Sequence, residues 1–384
     1  MADHNDSWTL FTSLDLQGEA EQIELAGFLD GLVREFSTQG ERGLSHSVQA
    51  LHEDEDDAEN DAGSAAASMP RGVQLNRAAN IAVAKTSSDV HNFPLPKGPL
   101  SPQTATEVVE VLRRGGALSM KAMKKLLRDV YKVLKLAPNI VSVNTQPKMI
   151  RVHVVGDLHG QLSDLLHIID DAGMPSSENA YIFNGDFVDR GKNSVEVIAI
   201  LFSLMLAFPE SVFLNRGNHE DQAICSQPPP PHGCGGFSTE MKSKYDELCF
   251  SMVVEVFRYL PLVHLIDSSV FVVHGGLFGR AGVTLEDIRA IDRTDYTCAP
   301  PPEPGPPESI EAVRALDLKQ LMRDCLWSDP KDLPGPAQFN HSRRQGQLFG
   351  PDVTEAFLRQ NGLRMIVRSH EWCVVFSNYR PRQI

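Results

Sequence analysis

The feature that most constrains this 384-residue chain is a series of short apolar segments, each followed at once by glycine or polar residues. Segments this short and apolar are typical of buried β-strands, and glycine beside them indicates tight turns rather than continued helix. The segments are Ile150–Val155, Tyr181–Phe183, Val212–Leu214, Val270–Val273 and Met365–Val367. Together they predict a sheet that is covered on its faces by other elements.

Helical patterns alternate with these strands. Ser119 precedes apolar positions at helical spacing and is a good N-cap, and Ser163 begins the next helix. Ser194 is predicted to cap a long apolar helix that ends before Pro209. This alternation predicts an α/β fold with a layered sheet and helices outside.

Polar side chains follow the strands in a fixed order. They are Asp157, His159, Asp186, Asn218, His274 and His370. Ligands of open α/β sheets bind outside the carboxyl ends of strands, so these side chains are expected to meet in one crevice. Carboxylate, imidazole and amide oxygen suit divalent Mn, Fe or Zn, and a carboxylate can bridge two such ions. A single histidine is more often a packing residue, and His153 and His167 are left outside the predicted site.

Six motifs carry a resemblance to a known family. They are GDLHGQ at Gly156–Gln161, GDFVDRG at Gly185–Gly191, RGNHE at Arg216–Glu220, HGG at His274–Gly276, LWSDP at Leu326–Pro330 and RSHE at Arg368–Glu371. In this order they resemble the phosphoprotein phosphatase family of serine/threonine phosphatases. Phe349–Leu358 is most similar to type 5 and EF-hand-containing members. The resemblance implies a calcineurin-like metallophosphoesterase fold, a layered β-sandwich flanked by helices.

The resemblance also implies two divalent metal ions, with manganese favoured and iron or zinc compatible. One ion would bind Asp157, His159 and Asp186. The second would bind Asn218, His274 and His370 and would share Asp186 as a bridge. A hydroxide held between the metals would then hydrolyse phosphoserine or phosphothreonine in proteins by in-line attack.

Further roles follow from the same resemblance. His219 would be the general acid and Asp189 would orient its ring. Arg190 and Arg343 would hold the phosphoryl oxygens, with Arg344 as an alternative to Arg343.

Two more substrate-side contacts are implied, by Asn218 and by Tyr379. Tyr379 ends the FSNY sequence, which resembles a compressed form of the family's C-terminal motif. The C-terminal strands are therefore expected to be incomplete, and the chain less stable than a full-length relative.

Three regions are predicted. Residues 1–37 form an extension with one amphipathic helix candidate, 38–91 an acidic, Ala/Ser-containing linker without stable structure, and 92–384 the catalytic domain. Residues 1–91 hold 17 acidic and five basic residues, a net charge of −12 of the total −14. Such a linker buries too little apolar surface to offset the entropy of ordering.

The composition limits the classes of partner and the cellular locations that are expected. No basic face stands out, so nucleic acid is not expected, and no apolar run is long enough to span a membrane. The six cysteines are scattered, which predicts reduced thiols and a cytoplasmic or nuclear location. Phosphoproteins are the expected substrates. A regulatory protein could bind the N-terminal helix or the proline-rich insertions at Pro228–Pro231 and Pro300–Pro307.

Two alternatives remain open at the level of sequence. One is a metallophosphoesterase acting on nucleotides. The other is an inactive or weakly active, truncated phosphatase that serves as a binding or scaffold protein.

Overall fold

The computed structural model describes the backbone of residues 11–16 and all of residues 92–146, 150–298 and 309–371. The strands are β1 Phe11–Leu16, β2 Ile140–Val143, β3 Ile150–Val155, β4 Asn179–Phe183, β5 Val212–Leu214, β6 Val263–Ile266, β7 Val270–Val273, β8 Asp329–Pro330, β9 Gln338–Phe339, β10 Gln347–Phe349 and β11 Met365–Val367. The helices are α1 Pro102–Arg113, α2 Met120–Leu134, α3 Leu162–Ala172, α4 Ser194–Ala207, α5 Gln222–Cys225, α6 Phe237–Lys244, α7 Glu247–Arg258, α8 Leu285–Arg289, α9 Ile310–Trp327 and α10 Pro351–Asn361.

All five strands predicted from the sequence are present, and only β4 differs, because it begins two residues earlier than expected. The helix starts were less accurate. Ser119 caps α2 by accepting from the Ala122 N–H, as predicted. Ser194 does not cap α4, since Asn193 occupies the N-cap and the backbone N–H of Ser194 donates to Glu240 of α6. A side chain from a distant helix has replaced the local cap.

Two four-stranded sheets form a sandwich. The first has the order β1-β3-β4-β5, in which β3, β4 and β5 are parallel. The second has the order β11-β7-β6-β2, in which β11 is parallel to β7 and β6 is antiparallel to β7. A small sheet of β8, β10 and β9 lies apart from these two.

The alternation of side chains along the strands builds three cores. Val152 and Val154 of β3 pack with Val270 and Val272 of β7 between the two sheets. The next residue along β3, Val155, instead joins the core formed by α1, α2, α4 and α7. On the far side of the second sheet, β7 residues pack with those of α9 and α10. The layers therefore run helix, sheet, sheet, helix, which confirms the predicted fold class.

This arrangement brings the chemically specialised residues together. The carboxyl ends of the parallel strands β3, β4 and β5 lie at one edge of the first sheet, and those of β7 and β11 lie at one edge of the second. Five of the six motifs, all except LWSDP, follow these five ends. The sandwich therefore places all five motifs at a shared edge.

Strand β1 was not predicted from the sequence. It pairs antiparallel with β3, with Phe11 opposite Val155 and Leu16 opposite Ile150.

The proposed amphipathic helix of the N-terminal extension, the acidic linker and the second proline insertion lie outside the described residues. The first insertion, Pro228–Pro231, is an exposed loop as predicted.

Two further properties concern the described residues as a set. None of their helices has the length and apolar character needed to cross a membrane. Their five cysteines are free thiols.

Asp324 of α9 provides a test of the core around the second sheet. Its buried carboxylate accepts hydrogen bonds from the Gly279 N–H (2.9 Å) and from Gln320 Nε2 (2.7 Å). Burial raises its pKa to about 6. A folded-state pKa above the unfolded value means that the carboxyl favours folding at low pH, and that this contribution is lost as the pH rises through about 6.

We therefore expect Asp324→Asn to gain stability relative to wild type as the pH rises. Between pH 5 and pH 8 the difference in free energy of unfolding should shift by about 1 kcal/mol in favour of the variant. Urea unfolding of metal-free protein at the two pH values measures this shift. Asp332→Asn, which removes an exposed carboxylate, is the control. A difference for Asp324→Asn that does not change with pH would contradict the prediction.

Candidate metal centre

Asp186, at the end of β4, lies at the centre of the predicted ligand set. One carboxylate oxygen, Oδ2, is 3.5 Å from His159 Nε2, and the other, Oδ1, is 3.4 Å from His274 Nε2. The carboxylate is buried and therefore shielded from bulk water. Its two oxygens face two different groups of nitrogen ligands, which is the arrangement of a bridging carboxylate.

The remaining predicted ligands surround Asp186. Asn218 presents its side-chain amide to His274 Nε2 and His370 Nδ1, at 2.9 Å from each. Asp157 Oδ2 lies 3.8 Å from His159 Nε2, and its Oδ1 accepts from the backbone N–H of His370 at 3.2 Å. The structure thus brings all six predicted ligands together, although they span more than 200 residues of sequence.

The backbone of this region is strained. Five non-glycine residues of the predicted site have left-handed backbone torsions, and their φ values lie between 41° and 72°. They are His159, Asp186, Asp189, Arg190 and His370. Such conformations cost on the order of 1–3 kcal/mol each and concentrate at functional sites, where the surrounding structure holds them.

Close backbone approach explains one of the glycines. A Cβ atom on Gly217 would lie 2.3 Å from both the backbone nitrogen and Oδ1 of Asp186. Any side chain at this position would therefore displace the central carboxylate. The glycine of the RGNHE motif is required by space rather than by backbone torsion.

The donor set fits divalent metal ions. Asp186 belongs to two groups of ligand atoms that lie within 4.8 Å of one another, one with His159 and His219 and one with His274 and His370. His159 Nε2 and His370 Nε2 are buried and make no hydrogen bond within the described structure. A buried polar atom without a partner is costly, and a metal ion beside Asp186 would satisfy His159 Nε2. In His370 the nitrogen that faces the ligand set is Nδ1, which lies 2.9 Å from the Asn218 amide, while Nε2 lies 3.9 Å from Asp329.

The amide of Asn218 is consistent with this assignment. Either its oxygen or its nitrogen can face both ring nitrogens at 2.9 Å. Only the oxygen has lone pairs to offer, so a metal ion selects that orientation.

Burial shifts the pKa of the histidines in a direction that suits metal binding and shifts that of Asp186 in the opposite sense. It lowers the pKa of His159 to about 3 and lowers those of His274 and His370, which keeps the rings neutral. It raises the pKa of Asp186, with the neighbouring Asp157 adding to the effect. A cation in the site would offset that cost, because it stabilises the ionised carboxylate.

His219 and Asp189 form a separate pair beside these ligands. His219 Nδ1 is 2.7 Å from Asp189 Oδ2, while Asp189 Oδ1 accepts from the Phe237 N–H at 3.0 Å. His219 Nε2 is therefore left to face the site, where it lies 3.3 Å from Arg190 Nη2. Burial, and then Arg190, holds the pKa of His219 well below its usual value.

The structure also distinguishes between the two neighbouring arginines. Arg343 Nε donates to Asp329 at 3.0 Å and its Nη2 donates to the carbonyl oxygen of His370 at 3.1 Å. Arg344 is exposed and has φ of 57°. Arg343 is therefore the arginine that borders the centre.

One predicted site residue is not among the described residues, and two histidines had been left outside the predicted site. Tyr379 lies outside the described residues, as does the whole FSNY sequence. His153 bonds to Asn179 at 2.7 Å and stacks on Tyr181, and His167 is exposed on α3. Neither of these two histidines lies among the ligands, in agreement with the sequence analysis.

Sequence reasoning missed Glu220, the last residue of the RGNHE motif. Its buried carboxylate accepts from the backbone N–H groups of Asp186 (2.7 Å), Phe187 (2.8 Å) and Gly217 (2.9 Å). Burial, with the nearby Asp186, raises its pKa to about 8, and the backbone donors oppose that shift. Its position in the RGNHE motif was the one available signal. It was overlooked because the sequence analysis assigned roles only to metal ligands, the general acid and substrate-binding residues.

Asn184 was missed as well. Its carbonyl oxygen is 2.8 Å from His274 Nδ1, and its side chain donates to Ser369 Oγ at 2.8 Å and to the Val273 carbonyl at 2.9 Å. It thereby orients one histidine ligand and holds the loop that bears another. No sequence signal distinguishes it from an ordinary strand-end asparagine.

The comparisons with known proteins agree with this geometry. The model of the family described as calcineurin-like phosphoesterase matches residues 150–373, more than half of the chain. The chain therefore belongs to the calcineurin-like phosphoesterase family. That family implies divalent metal ions, which the histidine and aspartate groups described above could hold.

Curated proteins that are similar to this chain carry more specific names than the family does. The chain is 35% identical over 375 residues to serine/threonine-protein phosphatase rdgC of Drosophila melanogaster, covering 95% of this chain and 50% of that protein. It is 39% identical over 287 residues to human serine/threonine-protein phosphatase 5, covering 74% of this chain and 52% of that protein. The chain thus spans about half the length of the curated relatives it matches.

A solved structure is similar as well. It is that of a protein serine/threonine phosphatase from Saccharomyces cerevisiae with similarity to human phosphatase PP5. The match has a TM-score of 0.60 and 33% identity, and it covers 71% of this chain and 78% of that one.

Replacing Glu220 tests the support beneath the central ligand. Glu220→Gln keeps the shape but turns an NH₂ group toward at least one of three backbone donors, so we expect a weaker site. Divalent-metal affinity should fall about 10–100-fold, as for other groups that orient ligands. Titration with Mn²⁺ measures this effect. Glu355→Gln, an exposed change on α10, should bind as wild type does, and equal affinities for all three proteins would refute the role.

Proposed function

We propose that this chain hydrolyses phosphoserine and phosphothreonine in proteins with the help of two divalent metal ions. The observation that carries the proposal is the position of Asp186, whose two oxygens face His159 on one side and His274 on the other. The similarity to relatives named serine/threonine-protein phosphatases supports protein substrates.

The chain supplies residues for both ions. Asp157 and His159 would hold the first, and Asn218, His274 and His370 would hold the second. Asp186 would be shared between them. Oxygen and imidazole ligands of this kind fit manganese, and they also accept iron or zinc. Bound ions of this class polarise a phosphoryl group and promote attack by water near neutral pH.

The protein side chains would bind and orient the phosphoryl group. Arg190 and Arg343 lie beside the ligand set, and a guanidinium group matches phosphoryl oxygens through paired N–H donors. Asn218 can add a donor on the substrate side. A bound dianion would also offset the charge of Arg190, which otherwise disfavours protonation of His219.

His219 would then donate a proton to the departing serine or threonine oxygen. With Nδ1 donating to Asp189, the ring would take up its second proton on Nε2, the nitrogen that faces the site, and would transfer that proton. Burial raises the pKa of Asp189 to about 7, although the Phe237 N–H favours its ionised form. This pair keeps the ring in one tautomer and one orientation.

We also propose a cellular location and a type of partner for the protein. A cytoplasmic or nuclear location fits the free thiols of the described cysteines. A regulatory protein could bind the exposed Pro228–Pro231 loop. The division at residues 37 and 91 into extension, linker and catalytic domain stays a prediction.

Metal removal is the first test. Chelated protein should lose phosphopeptide turnover, and Mn²⁺ should restore it with two ions bound per chain. Elemental analysis and phosphate release measure these outcomes. Asp186→Asn should weaken the binding of both ions, because the shared ligand loses its charge. Full activity in the chelated protein would refute the proposal.

His219→Asn tests the general acid. We expect kcat for a phosphopeptide to fall about 10²–10⁴-fold, while the Mn²⁺ content is unchanged. The matched control is His167→Asn, which alters an exposed histidine on α3 and should leave kcat unchanged. Equal rates for wild type and His219→Asn would rule out the assigned role.

A second assay tests the class of substrate. A phosphopeptide and a dinucleoside polyphosphate are assayed under the same conditions. Preference for the dinucleoside polyphosphate would instead favour a nucleotide hydrolase.

A further inference from the structure

Asp329 occupies an unusual position at the start of β8. Its side chain is only 4% exposed and lies between two arginines. One carboxylate oxygen, Oδ2, accepts from Asn340 Nδ2 at 2.9 Å and from Arg343 Nε at 3.0 Å. The other, Oδ1, accepts from Arg368 Nη2 at 2.9 Å. One buried carboxylate therefore serves three donors from two separate segments.

Those two segments both border the metal centre. Arg343 lies between β9 and β10, and its Nη2 donates to the carbonyl oxygen of His370. Arg368 belongs to the loop after β11 that carries His370, and its Nε donates to the Gly275 carbonyl at 2.6 Å. Asp329 thus joins the arginine that borders the centre to the loop that supplies a ligand.

The geometry of Arg343 shows what this contact achieves. Of the five N–H groups of its guanidinium, one on Nε is used by Asp329 and one on Nη2 by His370. Three N–H groups remain for another acceptor. Its pairing with Asp329 is the one ion pair of Arg343 among the described residues. Without it, the long side chain would have no charged anchor to set its direction.

We propose that Asp329 is a positioning residue that aims Arg343 at the substrate phosphoryl group and holds the His370 loop against it. This inference rests on the proposed function, since it takes a phosphoryl anion as the group that Arg343 receives. Asparagine at this position cannot replace the carboxylate, because it offers one oxygen and turns an NH₂ group toward at least one arginine donor.

Phosphopeptide kinetics in a double-mutant cycle test the proposal. Asp329→Asn and Arg343→Lys should each raise KM and lower kcat/KM, by up to about a hundredfold, as a small misplacement of a binding group can. The double variant should have a kcat/KM no lower than that of the more impaired single variant, because both changes remove the same correctly directed guanidinium. The control Asp332→Asn makes the same charge change at an exposed site three residues away and should behave as wild type.

Two kinetic results would overturn the inference. One is wild-type KM in Asp329→Asn. The other is a double variant whose loss is the product of the single losses, at a temperature where circular dichroism shows all variants folded. Should Asp329→Asn not fold, Asp329→Glu retains the charge but moves it by one methylene, and wild-type KM in that variant would count equally against the role.

A second readout does not depend on turnover. In metal-free protein with ¹⁵N-labelled arginine, the Nε–H of Arg343 should exchange slowly with water in wild type and in Asp332→Asn. It should exchange rapidly in Asp329→Asn, and unchanged exchange would overturn the inference. If wild type shows no turnover with Mn²⁺, the proposed function fails, whereas the exchange measurement still decides whether Asp329 holds Arg343.

Discussion

The site depends on one buried carboxylate, Asp186, and on the backbone contacts that keep it in place. Its oxygens are 3.4–3.5 Å from histidines of two different strands, so a small shift would separate the two halves of the site. Glu220 prevents such a shift, because it holds the backbone of Asp186 and Gly217 at once. The N–H of His219 also donates to Asp186 Oδ1, at 2.9 Å. Asp186 and His219 are thus positioned by the same few bonds.

This arrangement has a free-energy cost, which comes from backbone strain and from the burial of ionisable groups. Strained torsions, buried carboxyl groups and ring nitrogens without partners all concentrate where the strands end. The sandwich supplies the compensation, since three apolar cores surround the ends of the strands. Cations would relieve part of the remaining cost, because the unpaired His159 nitrogen and the buried Asp186 carboxylate are metal-ligand types.

The two arginines of the predicted site lie around this ligand set. Arg343 and Arg190 come from segments that share no strand, and each is held by contacts with a residue that sequence reasoning gave another role or none. Asp329 links Arg343 to the His370 loop, and Asn184 links that loop to His274. The residues proposed to bind the phosphoryl group and those proposed to bind the metals are therefore connected through neutral and charged hydrogen bonds.

The sequence by itself determined the strands, the order of the motifs and the types of ligand. Short apolar runs that end at glycine or polar residues favour strands over helices, and residues such as Asp186 and His274 have a limited chemistry. It did not determine the cap of α4, the pairing of β1 or the roles of Glu220, Asn184 and Asp329. Those depend on which backbone donors and arginines come within hydrogen-bond distance. Only the tertiary packing of helices and sheets decides that, because it joins residues far apart in the chain.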